Sequence, residues 1–156
     1  LCGDSAGGNI AAVCCINSKI NSGPLISFQA LIYPSTHIGV DYPSKEKYDG
    51  FILSKLLMNW FQDKYIDKDK FHDWRAAPML FEDLSELPPT LITVAGCDPL
   101  KDEGIAYGEK LQKAGNKVEL KIFDGQIHGF LTMGARIKDT DKLIQLVGNR
   151  ISKSFL

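Results

Sequence analysis

Residues 91–95, Leu-Ile-Thr-Val-Ala, form an almost unbroken apolar run set between Pro88-Pro89 and Gly96. A run this short, with breakers at both ends, reads as a strand covered on both faces, which is the environment of a parallel sheet. Parallel strands need crossover connections, and the rest of the chain supplies them in alternation. Residues 1–2 read as the tail of a strand. Residues 6–20, rich in Ala, Ile, Val and Cys, read as a buried helix stopped by Asn21-Ser22-Gly23-Pro24. Residues 28–33, before Pro34, read as a second buried strand. Residues 102–114 are helical, with Gly115-Asn116 as the stop. Val118, Leu120 and Ile122 alternate with Glu119 and Lys121, the pattern of a half-exposed strand at a sheet edge. Residues 140–155 form a last helix with Leu143, Ile144, Val147 and Ile151 on one face. The expectation is an α/β fold, a mostly parallel sheet with helices on both faces.

Residues 35–87 break this rhythm. They hold one clear helix, 53–66, with Leu56, Leu57, Trp60 and Phe61 on one face and Ser54 placed to cap it. The mixed-charge stretch 63–73 reads as a solvated surface. An excursion over the strand ends, a partial helical cap, accounts for the whole segment.

At 156 residues the chain suits one domain. A net charge of −1 with interspersed signs gives no electrostatic basis for a nucleic-acid or anionic-membrane partner. No run approaches the ~18 apolar residues of a membrane span. Cys2, Cys14, Cys15 and Cys97 include no Cys-x-x-Cys pair, so neither a metal site nor a disulfide framework is expected. Cys14 and Cys15 read as buried free thiols inside the first helix, which suits a reducing, cytoplasmic compartment. The first residue is Leu1, not Met, and the chain is expected to begin partway through a structural element.

Gly3-Asp4-Ser5-Ala6-Gly7-Gly8 contains Gly-x-Ser-x-Gly between a strand and a helix. A serine on such a turn needs a strained backbone, tolerated only with small neighbours, here Gly3 and Gly7. The turn lifts the hydroxyl above the sheet edge and aims the Ala6 N–H at the place where an oxyanion would form. Alone, the pattern also suits a turn that holds a phosphate or simply packs tightly.

A nucleophilic serine needs a base, and the base an orienting carboxylate. Of three histidines, His37 lies in a loop and His72 in the charged stretch, and both read as structural or solvated. His128 follows the last strand within Asp124-Gly125-Gln126-Ile127-His128-Gly129-Phe130, where parallel sheets place ligands. Asp98 follows the buried strand and precedes Pro99; it also suits a helix N-cap. Asp102 and Glu103 read as first-turn acids facing the helix dipole. Ser5, Asp98 and His128, each after its own strand, stand in the chain order of α/β-hydrolases.

With these motifs the chain resembles the hormone-sensitive-lipase family of α/β-hydrolases. The elbow at 3–8, Tyr33-Pro34, Asp73-x-Arg75-Ala76-x-Pro78, Leu87-Pro88-Pro89-Thr90, Asp98-Pro99-Leu100-x-Asp102-Glu103-Gly104 and His128-Gly129-Phe130 occur in order through nearly the whole chain. The resemblance implies the α/β-hydrolase fold and hydrolysis of small carboxylic esters by Ser5, Asp98 and His128, with Ala6 in the oxyanion hole and no cofactor or metal. Trp60, Phe61 and Phe130 are candidates for an apolar pocket, with ordinary packing as the alternative. The family's upstream His-Gly-Gly-Gly loop has no counterpart here, so the chain is expected to be the C-terminal portion of a single domain. Amide hydrolysis or deacetylation uses the same triad. The gibberellin receptors resemble this family too, but lack the histidine that is present here.

Overall fold

The computed structural model describes residues 1–155. Four strands form one parallel sheet in the order β1-β2-β3-β4: β1 (Cys2–Asp4), β2 (Gln29–Ile32), β3 (Thr90–Cys97) and β4 (Val118–Ile127). Between and after them run α1 (Ala6–Ile20), α2 (Pro43–Lys47), α3 (Lys55–Tyr65), α4 (Lys101–Lys113) and α5 (Asp139–Lys153), with short 3-10 turns at Lys68–Lys70, Pro78–Leu80 and Phe130–Thr132.

The side-chain alternation of the strands divides the core in two. Leu31 of β2 and Ile92 and Val94 of β3 point to one face, where they meet Ala12, Cys15 and Ile16 of α1 and Tyr107 and Leu111 of α4. Ala30 and Ile32, with Leu91 and Ala95, point to the other, against Phe123, Phe130 and Leu143 and Val147 of α5. β2 and β3 are therefore covered on both sides, as their apolar runs require. β4 lies at one edge and is only half buried, and Arg150 of α5 reaches across to its Glu119 at 2.6 Å. β1 lies at the other end of the described strand order, where Leu1 and Cys2 are exposed.

Two helices carry less core than their periodicity indicates. On α3 only Met58 is buried; Leu56, Leu57, Trp60 and Phe61 face solvent. Ser54 does cap it, accepting the Leu57 N–H at 3.1 Å. An apolar stripe marks a face without specifying what covers it, and residues 35–87 contribute no strand to the sheet among the described residues. On α5, Thr140, Leu143 and Val147 define the buried line, and Ile144, a hundred-degree step round the helix, is exposed.

The cysteines also divide. Cys15 is buried, and burial pushes its thiol up to about 12, whereas Cys14 faces away from the sheet and is exposed, contrary to expectation. All four thiols are free. No described helix is long and apolar enough to cross a membrane.

Candidate active site

The turn from β1 into α1 is set by close backbone approaches. Ser5 has φ 53° and ψ −118°, a strained conformation for a residue with a side chain. Its N–H donates to Ile32 O at 2.9 Å, and its carbonyl accepts from Asn9 N and Ser35 N, each at 3.2 Å. A Cβ on Gly3 would overlap the Gly7 carbonyl, and one on Gly8 would stand 2.8 Å from Pro34 Cβ. At Gly7 the nearest atom would be Asp4 Oδ1, an ordinary 3.9 Å away. The turn thus depends on Gly3 and Gly8, not on Gly3 and Gly7 as the sequence pattern indicates. Ala6 opens α1, so its N–H has no helical partner.

Asp98 leaves β3 fully buried. Its Oδ1 accepts the Leu100 N–H at 2.8 Å, which locks the carboxylate at the start of α4 and turns Oδ2 outward to its second partner. That partner is His128. The β3–β4 ladder carries an irregularity between Ala95 and Cys97, where Gly96 is pressed so closely on the Asp124 backbone that no Cβ fits. Such a bulge bends the strand and re-aims the residues beyond it. Past the end of β4, Gly129 takes the left-handed conformation at φ 77° and turns the chain sharply into the Phe130–Thr132 turn.

The imidazole of His128, 8% exposed, lies between the other two side chains: Nδ1 is 2.8 Å from Asp98 Oδ2 and Nε2 is 2.9 Å from Ser5 Oγ. An ionised carboxylate accepts only, so Nδ1 carries the proton that it receives. Nε2 is then the acceptor for the Ser5 O–H. The three residues singled out in the sequence are thus brought together from the ends of β1, β3 and β4.

The remaining candidates separate. Phe130 is fully buried, its ring 5.2 Å from that of Phe123 and 5.9 Å from that of Tyr33, and it packs in the core and does not line an open pocket. Trp60 and Phe61 pack edge-on to each other at 5.4 Å, each about half exposed. Two open cavities of about 530 Å³ each lie in the molecule, and none of these three aromatics lines either of them. His37 accepts or donates at Nδ1 to the Tyr42 hydroxyl at 2.8 Å, and burial holds its imidazole below the usual value, with Lys45 and Lys110 adding to the effect. His72 is exposed.

Several contacts at the site have no signal in the sequence. Asn9 Nδ2 donates to both Ser35 O and Ala76 O at 2.8 Å, tying α1 to the chain leaving β2 and to the end of the 35–87 excursion. Asp102 accepts the Ser44 N–H at 2.8 Å, and the Ser44 hydroxyl donates to Pro99 O at 2.8 Å. Asp102 and Glu103 both stand in the first turn of α4, as expected, but Glu103 is also fully buried: it accepts the Thr36 N–H at 2.8 Å and pairs with Lys45 at 2.7 Å. The start of α4 is thus a clamp for the first helix of the excursion, immediately beside Asp98.

A family profile described as the alpha/beta hydrolase fold matches residues 1–132. The chain belongs to the α/β-hydrolase fold family, of the hormone-sensitive-lipase type that its motifs resemble. It is 38% identical over 97% of its length to carboxylic ester hydrolase LipN of Mycobacterium tuberculosis, of which it covers 43%. It is 34% identical over 93% of its length to the ethyl acetate hydrolase of Pseudomonas putida, covering 46%. Among solved structures, the carboxylesterase EstE1, cloned from a metagenomic library, matches with a TM-score of 0.95 at 33% identity, over 99% of this chain and 54% of that one. The esterase of Pyrobaculum calidifontis matches at 0.93 and 34%, over 97% and 51%. The chain spans about half the length of these relatives.

Proposed function

We propose that the protein carrying this chain is a serine carboxylic-ester hydrolase that works through an acyl-enzyme on small esters of short or medium acyl chain. The observation that carries the reading is the unbroken line Ser5 Oγ, His128 Nε2, His128 Nδ1, Asp98 Oδ2, with contacts of 2.9 and 2.8 Å, mounted on a strained turn. His128 Nε2 takes the Ser5 proton as Oγ attacks the ester carbonyl carbon. The tetrahedral oxyanion forms beside the Ala6 N–H. Collapse breaks the bond to the alcohol oxygen, which leaves with the proton from Nε2. Water then gives a proton to Nε2 and its oxygen to the acyl carbon, and the acid departs as Ser5 recovers its proton. Asp98 holds the productive tautomer and stabilises the transient imidazolium. These steps use no cofactor or metal.

The names of the relatives support the ester bond as the target. We read the chain as the C-terminal portion of one hydrolase domain with 35–87 as a cap, and the free thiols as the mark of a cytoplasmic protein. The test is hydrolysis of p-nitrophenyl acetate and butyrate by the full-length protein and its Ser5→Ala form, with the corresponding anilides in parallel. Ester turnover lost in Ser5→Ala supports the reading. Anilide turnover exceeding ester turnover moves it to amide hydrolysis. No Ser5-dependent turnover of either overturns it.

A further inference from the structure

Ser5 and His128 follow β1 and β4, the first and last strands of the described order β1-β2-β3-β4. Three strand spacings of ~4.8 Å put those strands roughly 14 Å apart, so the histidine loop has to reach back across β3 and β2 to bring Nε2 to Oγ. The residue leaving β2 beneath that reach is Tyr33. It is 1% exposed, and its ring lies 4.8 Å from the His128 imidazole, tilted by 58°. Its hydroxyl is 3.4 Å from Asp4 Oδ2, on the residue that immediately precedes the nucleophile.

Tyr33 is held there against its backbone preference. Its φ is +35°, an outlier for a bulky residue that persists only where the surroundings over-determine it. Two contacts do so: Tyr33 N–H donates to Thr93 O at 2.6 Å, and Pro34 is seated against Gly8 of α1.

The two hydrogen bonds of His128 leave one freedom open. They leave the imidazole on opposite sides, to Asp98 and to Ser5, and so fix its ends while permitting the ring to rock about the line that joins them. A bulky aromatic ring packed on one side, here at a 58° tilt, restricts that motion. An aromatic neighbour is also the favourable one when the ring acquires positive charge, because the aromatic face is electron-rich. We propose that Tyr33 is a positioning residue for the general base: its ring is the platform against which His128 is held in reach of Ser5, and its hydroxyl, through Asp4, fixes that platform to the nucleophile's own turn. The inference rests on the serine-hydrolase reading and gives the otherwise unused motif residue Asp4 a task.

The experiment compares wild type, Ser5→Ala, Tyr33→Leu, Tyr33→Phe, Asp4→Ala and the Tyr33→Phe/Asp4→Ala pair in the full-length protein, with kcat and KM for p-nitrophenyl butyrate and a melting curve for each. Tyr33→Leu is expected to lower kcat by about tenfold to a hundredfold, the scale for a displaced catalytic group, while KM changes by less than about threefold. Tyr33→Phe, which keeps the platform, restores most of that loss. Asp4→Ala and Tyr33→Phe each lower kcat by a smaller factor, and the pair is no worse than Tyr33→Phe alone, since the Asp4 contact is lost in both. A folded Tyr33→Leu with wild-type kcat, or with a change in KM alone, overturns the proposal. So does an Asp4→Ala effect that persists in full without the Tyr33 hydroxyl, and this cycle decides if Tyr33→Leu does not fold. Turnover that survives Ser5→Ala removes the hydrolase reading itself; turnover lost there but intact in all the Tyr33 variants removes only the platform.

Discussion

The Lys45 ammonium lies 2.7 Å from a Glu103 carboxylate that has no exposure to solvent, and the pair joins α2 of the 35–87 excursion to the first turn of α4. Burial pushes the Glu103 carboxyl up, opposed by Lys45 and by the N–H groups of Thr36 and His37. Removing one partner of such a pair strands the other in the core. Lys45→Met is expected to destabilise the full-length protein by about 3–5 kcal/mol, and the double change Lys45→Met/Glu103→Leu to recover most of it, because a well-packed apolar pair dispenses with both desolvation penalties. Denaturant melts of the three variants check this. Equal stability of Lys45→Met and wild type would show that solvent reaches Glu103.

Histidine substitutions should separate one catalytic ring from two bystanders. His128→Ala and Ser5→Ala are each expected to lower kcat/KM for a p-nitrophenyl ester by about 10³-fold or more, leaving the residual rate of binding and the oxyanion site. His72→Ala, at the surface, and His37→Ala, bonded to Tyr42, should stay near wild type. A large loss at His37 with little at His128 would reassign the base.

The glycines of the elbow should rank by what a methyl group would meet. Gly3→Ala, colliding with backbone, is expected to be the most damaging to melting temperature and activity together. Gly8→Ala, against Pro34, comes next. Gly7→Ala meets nothing closer than 3.9 Å and should gain helix propensity in α1 instead, worth up to ~1 kcal/mol. The opposite order would mean that the turn relaxes around Gly3.

Stability should fall on mild acidification through His37. Its folded pKa is lowered, chiefly by burial and further by Lys45 and Lys110. The unfolded chain therefore binds more protons just below the ordinary imidazole value of ~6.5, and stability rises with pH in that window. Below the folded pKa the loss is complete and the slope ends. His37→Asn should flatten the dependence of the melting temperature on pH between about 5 and 7 relative to wild type. An unchanged slope would place the acid sensitivity on another group.

The parts of this molecule that depend on local order are readable from the chain. The bounds of α1, the burial of β2 and β3 and the edge position of β4 come from periodicity and breakers, and each candidate triad residue is marked by its place after a strand. Pairings across long stretches of chain are not readable in that way. Glu103 looks like any acid in a first turn, and only the fold brings it to Lys45 and Thr36. Tyr33 looks like a strand residue before a proline, and its contact with His128 spans 95 positions of sequence. Trp60 and Phe61 show the reverse failure: a regular apolar stripe carries no information on whether anything packs against it.

Because Ser5 follows β1 and His128 follows β4, their 2.9 Å contact spans all three strand pairings of the described sheet. A change in twist at β1–β2, β2–β3 or β3–β4 bears on that distance, on which proton transfer depends in the proposed mechanism. Under the proposed mechanism, substitutions deep in the α1, α4 or α5 packing would tune or detune the chemistry without touching a reacting group, and the catalytic rate would gauge how faithfully these four strands are assembled.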